Sequence, residues 1–129
     1  MNNVRVLLVD DDQEFLVLLS QNVGSWGYRS TSADNGVEAI ETVRKNSADM
    51  VILDYMMPVL DGVETLREIR AINKTIPVVM FTSNPDGRSI AGTEKLGVLA
   101  YIPKKGVFTD PEHSLKTMID LVEKRNKKG

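Results

Sequence analysis

Cysteine is absent from the 129 residues. A disulfide scaffold, a zinc–thiolate site and a cysteine nucleophile are thereby excluded together. Histidine occurs once, as His113. A single imidazole without cysteine gives almost no support to zinc ligation or Ser-His-Asp catalysis, and His113 reads as a solvated residue. An excess of charge is missing too: 16 Lys+Arg stand against 18 Asp+Glu, a net charge of -2. A general nucleic-acid binder needs a cationic field, so direct nucleic-acid binding by this chain is not expected. No apolar run approaches the roughly 18 residues that would span a membrane. The start, Met1-Asn2-Asn3-Val4-Arg5, lacks the basic-then-apolar layout of a signal peptide, which suggests a cytoplasmic protein. What remains, 42% hydrophobic and 26% charged residues, is the composition of an ordinary globular chain. Its length predicts a single domain over 1–129.

Short apolar runs alternate with amphipathic stretches. Val4–Val9, Met50–Leu53, Val78–Phe81 and Val98–Ile102 have strand length and apolar residues on both faces, as in a parallel sheet. Tyr28–Ala33 alternates and is more polar, which suits an edge strand. Gly36, Ala39, Ile40 and Val43 fall at helical spacing, as do Leu115, Met118, Ile119 and Val122. Phe15–Val23 reads as a buried helix, with Asp12 before it as N-cap; Asn35, Asp61 and Asp110 are further caps. Gly87–Leu96 is the weakest helix, since Gly92 in its interior costs about 1 kcal/mol relative to alanine. Met56-Met57 reads as loop packing, Trp26 as a cover for the sheet edge, and Gly36, Gly62 and Gly97 as turn or cap glycines. Five strand–helix units predict an α/β fold, a parallel sheet wound on both faces.

Ligands of such sheets bind outside the carboxyl ends of the strands. The residues there are Asp10, Asp11 and Asp12 after the first strand and Asp54 after the third. Thr82 and Ser83 follow the fourth, and Lys104 the fifth. Singly, each has an ordinary explanation as a cap, a turn residue or a solvated charge. Jointly they place carboxylates, a hydroxyl and an ammonium on one rim. Clustered carboxylates repel unless a proton or cation intervenes, and a hard divalent cation such as Mg²⁺ suits oxygen ligands. The lysine and hydroxyl suit an anionic group beside it.

The set Val9-Asp10-Asp11, Asp54-Tyr55-Met56-Met57-Pro58-Val59-Leu60-Asp61-Gly62, Phe81-Thr82-Ser83 and Tyr101-Ile102-Pro103-Lys104 resembles the response-regulator receiver domain of two-component signalling, of the chemotaxis-regulator kind. The resemblance runs from Val4 to about Arg125. It implies a flavodoxin-like five-stranded sheet of order 2-1-3-4-5. It implies that Asp54 is the phosphoacceptor, its carboxylate attacking the phosphorus of a histidine kinase's phosphohistidine. Asp10, Asp11, Asp54 and the backbone carbonyl of Met56 would hold Mg²⁺, and Thr82 and Lys104 would contact phosphoryl oxygens. Thr82 and Tyr101 would form the switch, altering the face of the fourth helix, fifth strand and last helix. The partners implied are a sensor histidine kinase or phosphotransfer protein and a downstream effector protein or output domain. Such a domain catalyses its own phosphorylation and dephosphorylation but is mainly a signalling switch.

Three features depart from the family. Lys105 stands where proline is usual, often after a cis bond; a cis bond to a residue other than proline costs about 3–4 kcal/mol, so a trans bond is expected. The stretch Pro103–Asp110 is long, and Gly87 and Gly92 weaken the fourth helix. Two other functions remain open on the residues. One is a small haloacid-dehalogenase-like phosphatase with Asp10 as nucleophile, opposed by Gln13 and the short chain. The other is an unphosphorylated receiver-like interaction module. The role of Asp54 separates the receiver, in which it is the nucleophile, from the phosphatase, in which it is not. No helix-turn-helix follows the last helix, so DNA reading would need another chain or domain.

Overall fold

In β1 (Arg5–Val9), successive side chains point to opposite faces, and both faces are apolar. Val6 and Leu8 join one hydrophobic cluster, Leu7 and Val9 another. The strand must therefore be covered on both sides, each buried Val or Leu contributing about 1.5–3 kcal/mol. The computed structural model describes residues 4–57, 60–82, 93–104 and 115–128, apart from the side chains of Thr82, Glu94, Lys127 and Lys128. It shows that cover. The remaining strands are β2 (Arg29–Ala33), β3 (Met50–Asp54), β4 (Val78–Thr82) and β5 (Ala100–Pro103). All pair in parallel, in the order β2-β1-β3-β4-β5. This is the order that the family resemblance implies. Tyr28–Ala33 does supply an edge strand.

The helices among the described residues are α1 (Gln13–Ser25), α2 (Gly36–Arg44), α3 (Gly62–Ile72) and α4 (Leu115–Lys128). Phe15, Leu16 and Leu19 of α1 and Leu115, Ile119 and Val122 of α4 cover one face of the sheet. Ala39, Ile40 and Val43 of α2 and Leu66 and Ile69 of α3 cover the other. The three N-caps at Asp12, Asn35 and Asp61 form as the sequence predicts. Each side chain accepts the backbone N–H three residues on, from Phe15, Glu38 and Glu64.

Some expectations shift. The fifth strand starts at Ala100 rather than Val98: Leu99 N–H is bound to Val78 O at 2.8 Å, but the ladder begins only with the pair Val79↔Ala100. Gly97 is a turn glycine as expected, with φ 72°. Gly62 is more than a cap glycine: a Cβ there would lie 2.5 Å from Asp54 O and 2.7 Å from Tyr55 Cα. Met57 is buried as loop packing, but Met56 is exposed. Of the Gly87–Leu96 helix, residues 87–92 lie outside the described residues, and Glu94–Leu96 form a 3₁₀ turn. The Asp110 cap, His113, Ser83, Lys105 and the long stretch after it also lie outside them.

Candidate functional site

The chain leaves β1 toward α1 on one face and leaves β3 toward α3 on the other. The gap between the carboxyl ends of these neighbouring strands is the topological switch point, where helices diverge and a ligand can enter. The register Val9↔Leu53 brings Asp10 and Asp54 out side by side at that gap. Both are buried, at 1% and 2% exposure, while Asp11 beside them is exposed. The backbone fixes them. Asp10 N–H donates to Ala33 O at 3.1 Å, and Tyr55 N–H to Phe81 O at 3.0 Å.

Each carboxylate is also oriented by its own loop. Asp10 Oδ1 accepts from Asp12 N–H at 2.9 Å, which links the acidic pair to the cap of α1. Asp54 Oδ1 accepts from Met56 N–H at 3.3 Å. Lys104, one residue past β5, reaches across β4 to the pair. Its Nζ lies 2.8 Å from Asp10 Oδ2 and 3.6 Å from Asp54 Oδ2. Burial works against the Lys104 ammonium, but the bond to Asp10 and the charges of Asp54, Asp10 and Asp12 outweigh it and hold its pKa above the ordinary value. The Asp54 pKa is raised as well, which for a carboxylic acid disfavours the charged form. Burial and then the Asp10 charge push its pKa up to about 6, against the pull of Lys104 and the Met56 N–H.

One oxygen from each of Asp10, Asp11 and Asp54 lies within 4.8 Å of the other two. Asp10 Oδ2 is buried and accepts no hydrogen bond of normal geometry; the Lys104 ammonium is its ion-pair partner. A buried carboxylate oxygen short of hydrogen bonds, within a set of hard oxygen donors, fits a divalent cation of the Mg²⁺ kind.

The structure thus brings together Asp10, Asp11, Asp54 and Lys104. Thr82 ends β4 opposite Pro103, on the strand between Asp54 and Lys104, with its side chain outside the described residues. Tyr101 is partly buried against the α2–α3 face, and its hydroxyl shares a hydrogen bond with the buried Thr93. Two participants escape a reading of the sequence. Phe15 has Lys104 Nζ over its ring, 4.5 Å from the centroid. Its apolar neighbours make it look like core alone; the one available signal is an aromatic ring in the first turn after the acidic triplet. Thr93 gives no signal at all.

The sequence model of the response regulator receiver domain matches residues 6–116. The transcriptional regulatory protein ZraR of Klebsiella oxytoca is 39% identical over 101 residues, covering 78% of this chain and 23% of that protein. The chain thus spans about a quarter of the length of the ZraR proteins it matches. Sporulation initiation phosphotransferase F of Bacillus subtilis is 33% identical over 121 residues, covering 94% of this chain and 98% of that protein. Among solved structures, the receiver domain of the sensor histidine kinase PA1611 from Pseudomonas aeruginosa PAO1 superposes with a TM-score of 0.78 at 26% identity, over 92% of this chain and 98% of that one. That structure has a magnesium ion coordinated in its active site cleft. Strand order, the acidic group at the switch point and these similarities agree: the chain belongs to the response regulator receiver domain family.

Proposed function

We propose that Asp54 accepts a phosphoryl group from the phosphohistidine of a sensor histidine kinase or phosphotransfer protein, and that the chain 1–129 acts as a single receiver domain. The observation that carries this reading is the buried Asp54 carboxylate, set beside Asp10 and within 3.6 Å of the Lys104 ammonium at the switch point. A carboxylate is a weak nucleophile, so the acceleration has to come from positioning and from neutralising charge. Met56 N–H orients the Asp54 carboxylate, and β3 holds its main chain. Asp10, Asp11, Asp54 and the Met56 carbonyl are the residues that would hold Mg²⁺. When bound, the cation supplies positive charge that relieves carboxylate repulsion and stabilises charge on the transferring group. Lys104 and the Thr82 hydroxyl contact phosphoryl oxygens in this reading, with Lys104 drawn from its present carboxylate partners.

Thr82 and Tyr101 form the switch. A shift of Thr82 toward the phosphoryl group opens space for Tyr101, and the surface of β5 and the segments flanking it changes for a downstream effector protein or output domain. Sporulation initiation phosphotransferase F, matched over nearly its full length, favours transfer by a lone domain. The much longer ZraR proteins favour a receiver joined to further domains. A cytoplasmic location belongs to the same reading; among the described residues no helix is long and apolar enough to cross a membrane.

The test is intact mass after incubation with acetyl phosphate and Mg²⁺. The wild-type chain gains the mass of a single phosphoryl group, chelator prevents the gain, and Asp54→Asn is not labelled. Labelling that persists in Asp54→Asn refutes the assignment.

A further inference from the structure

Lys104 faces a conflict of partners. Its ammonium is paired with Asp10 and Asp54, the same carboxylates that phosphoryl transfer engages. When those partners are taken up, a flexible lysine on four methylenes is free to swing into solvent, and fixing such a side chain costs up to about 2 kcal/mol of rotamer entropy. One further group touches the ammonium and has no part in binding metal or phosphate. This is the ring of Phe15, with Lys104 Nζ 4.5 Å from its centroid. The negative face of an aromatic ring attracts a cation at that distance.

The ring is well placed to act as a fixed platform. Phe15 is buried in the first turn of α1, and its backbone N–H is held by Asp12 Oδ1 at 3.2 Å. Phe81 meets it edge-on, with centroids 5.6 Å apart and planes at 86°. Phe81 is itself the β4 residue in register with Asp54. The platform for Lys104 and the carboxylate it serves are thus tied to one strand pair.

We propose that Phe15 is a positioning residue for Lys104: its ring face keeps the ammonium over the site when Asp10 and Asp54 are engaged elsewhere. The proposal rests on the phosphoacceptor reading for its effect on rate, and on geometry alone for the contact. Replacing the ring by an aliphatic chain removes the platform and keeps the apolar cover.

The test is a double-mutant cycle on Phe15→Leu and Lys104→Met, read in two ways. Labelling by acetyl phosphate with Mg²⁺ slows about five-fold in Phe15→Leu, the equivalent of about 1 kcal/mol in a barrier. Phe15→Tyr, which keeps the ring, restores most of the rate. In the Lys104→Met background Phe15→Leu has no further effect on rate. An equal slowing in both backgrounds means that Phe15 is only a core residue, and overturns the proposal. The second readout is the lysine ε-methylene NMR spectrum of the metal-free protein. Lys104, assigned by its loss in Lys104→Met, lies upfield of the other lysines through the ring current, and Phe15→Leu returns it to the common position. An unshifted Lys104 resonance in wild type overturns the contact itself. Should the wild-type chain take no label, the phosphoacceptor reading falls, and the NMR shift still decides whether Phe15 holds Lys104.

Discussion

Replacing the proposed phosphoacceptor by its neutral isostere, Asp54→Asn, should make the metal-free protein more stable at neutral pH. The ordinary Asp value near 3.8 becomes about 6 in the folded chain, through burial first and the Asp10 charge second. At about 1.4 kcal/mol per pH unit, the ionised Asp54 costs the fold about 2–3 kcal/mol at pH 7. The attraction of Lys104 is already contained in that figure, since it is one of the influences on the same carboxyl. The sign follows from proton binding. A carboxyl with a raised folded pKa binds its proton more tightly folded than unfolded, so stability falls as pH rises between about 4 and 6. Below that window both states are protonated and the penalty vanishes; above it the penalty is complete. The amide keeps the shape and can still accept from Met56 N–H but carries no charge. Urea unfolding followed by circular dichroism, in chelator at several pH values, checks this. At pH 7 the Asp54→Asn midpoint should rise by about 1–2 M urea with an unchanged slope. At pH 4 the two proteins should differ little. A variant no more stable than wild type at pH 7, or equally favoured at both pH values, refutes the claim that Asp54 is held ionised against burial and Asp10.

The same strain is relieved by a cation. Thermal unfolding should show Mg²⁺ stabilising wild type by about 2.7 kcal/mol at one hundred times its dissociation constant, with most of that gain lost in Asp10→Asn. Gly62→Ala should destabilise by about 1–3 kcal/mol in chemical denaturation, because the new Cβ meets Asp54 O and Tyr55 Cα, backbone atoms that no rotamer change can move. Arg70→Met should cost about 2–3 kcal/mol in the same assay. The Arg70 guanidinium donates to the carbonyls of Asn73, Ile76, Leu96 and Gly97, tying the end of α3 to the segments before β4 and β5.

Much of the site is legible in the sequence because a parallel sheet places the residue after each apolar run on one rim. Asp10, Asp54 and Lys104 need only that rule to be brought together. The pairing order of the strands is a different matter. Periodicity says that Val4–Val9 and Met50–Leu53 are buried on both faces, but not that they are neighbours; that came from the resemblance. Leu99 shows where pattern fails: it is as apolar as a strand residue and bonds Val78 O, yet the pairing of β4 with β5 begins only at Ala100. Contacts set by three-dimensional packing leave no local mark. Gly62 looks like a helix-start glycine, and its closeness to the Asp54 main chain appears only once α3 is docked. Phe15 looks like any core aromatic until Lys104 arrives over it from the far end of the chain.

The central claim is that Asp54, rather than another carboxylate of the cluster, takes the phosphoryl group. Borohydride reduces an aspartyl phosphate to homoserine, which fixes its position in the chain. Trypsin separates the candidates, since Val6–Arg29 carries Asp10, Asp11 and Asp12 while Asn46–Arg67 carries Asp54. After labelling with acetyl phosphate and Mg²⁺ and reduction, fragment-ion mass spectrometry should find the conversion at residue 54 alone. Conversion at Asp10 instead would contradict the account and point to a nucleophile on β1.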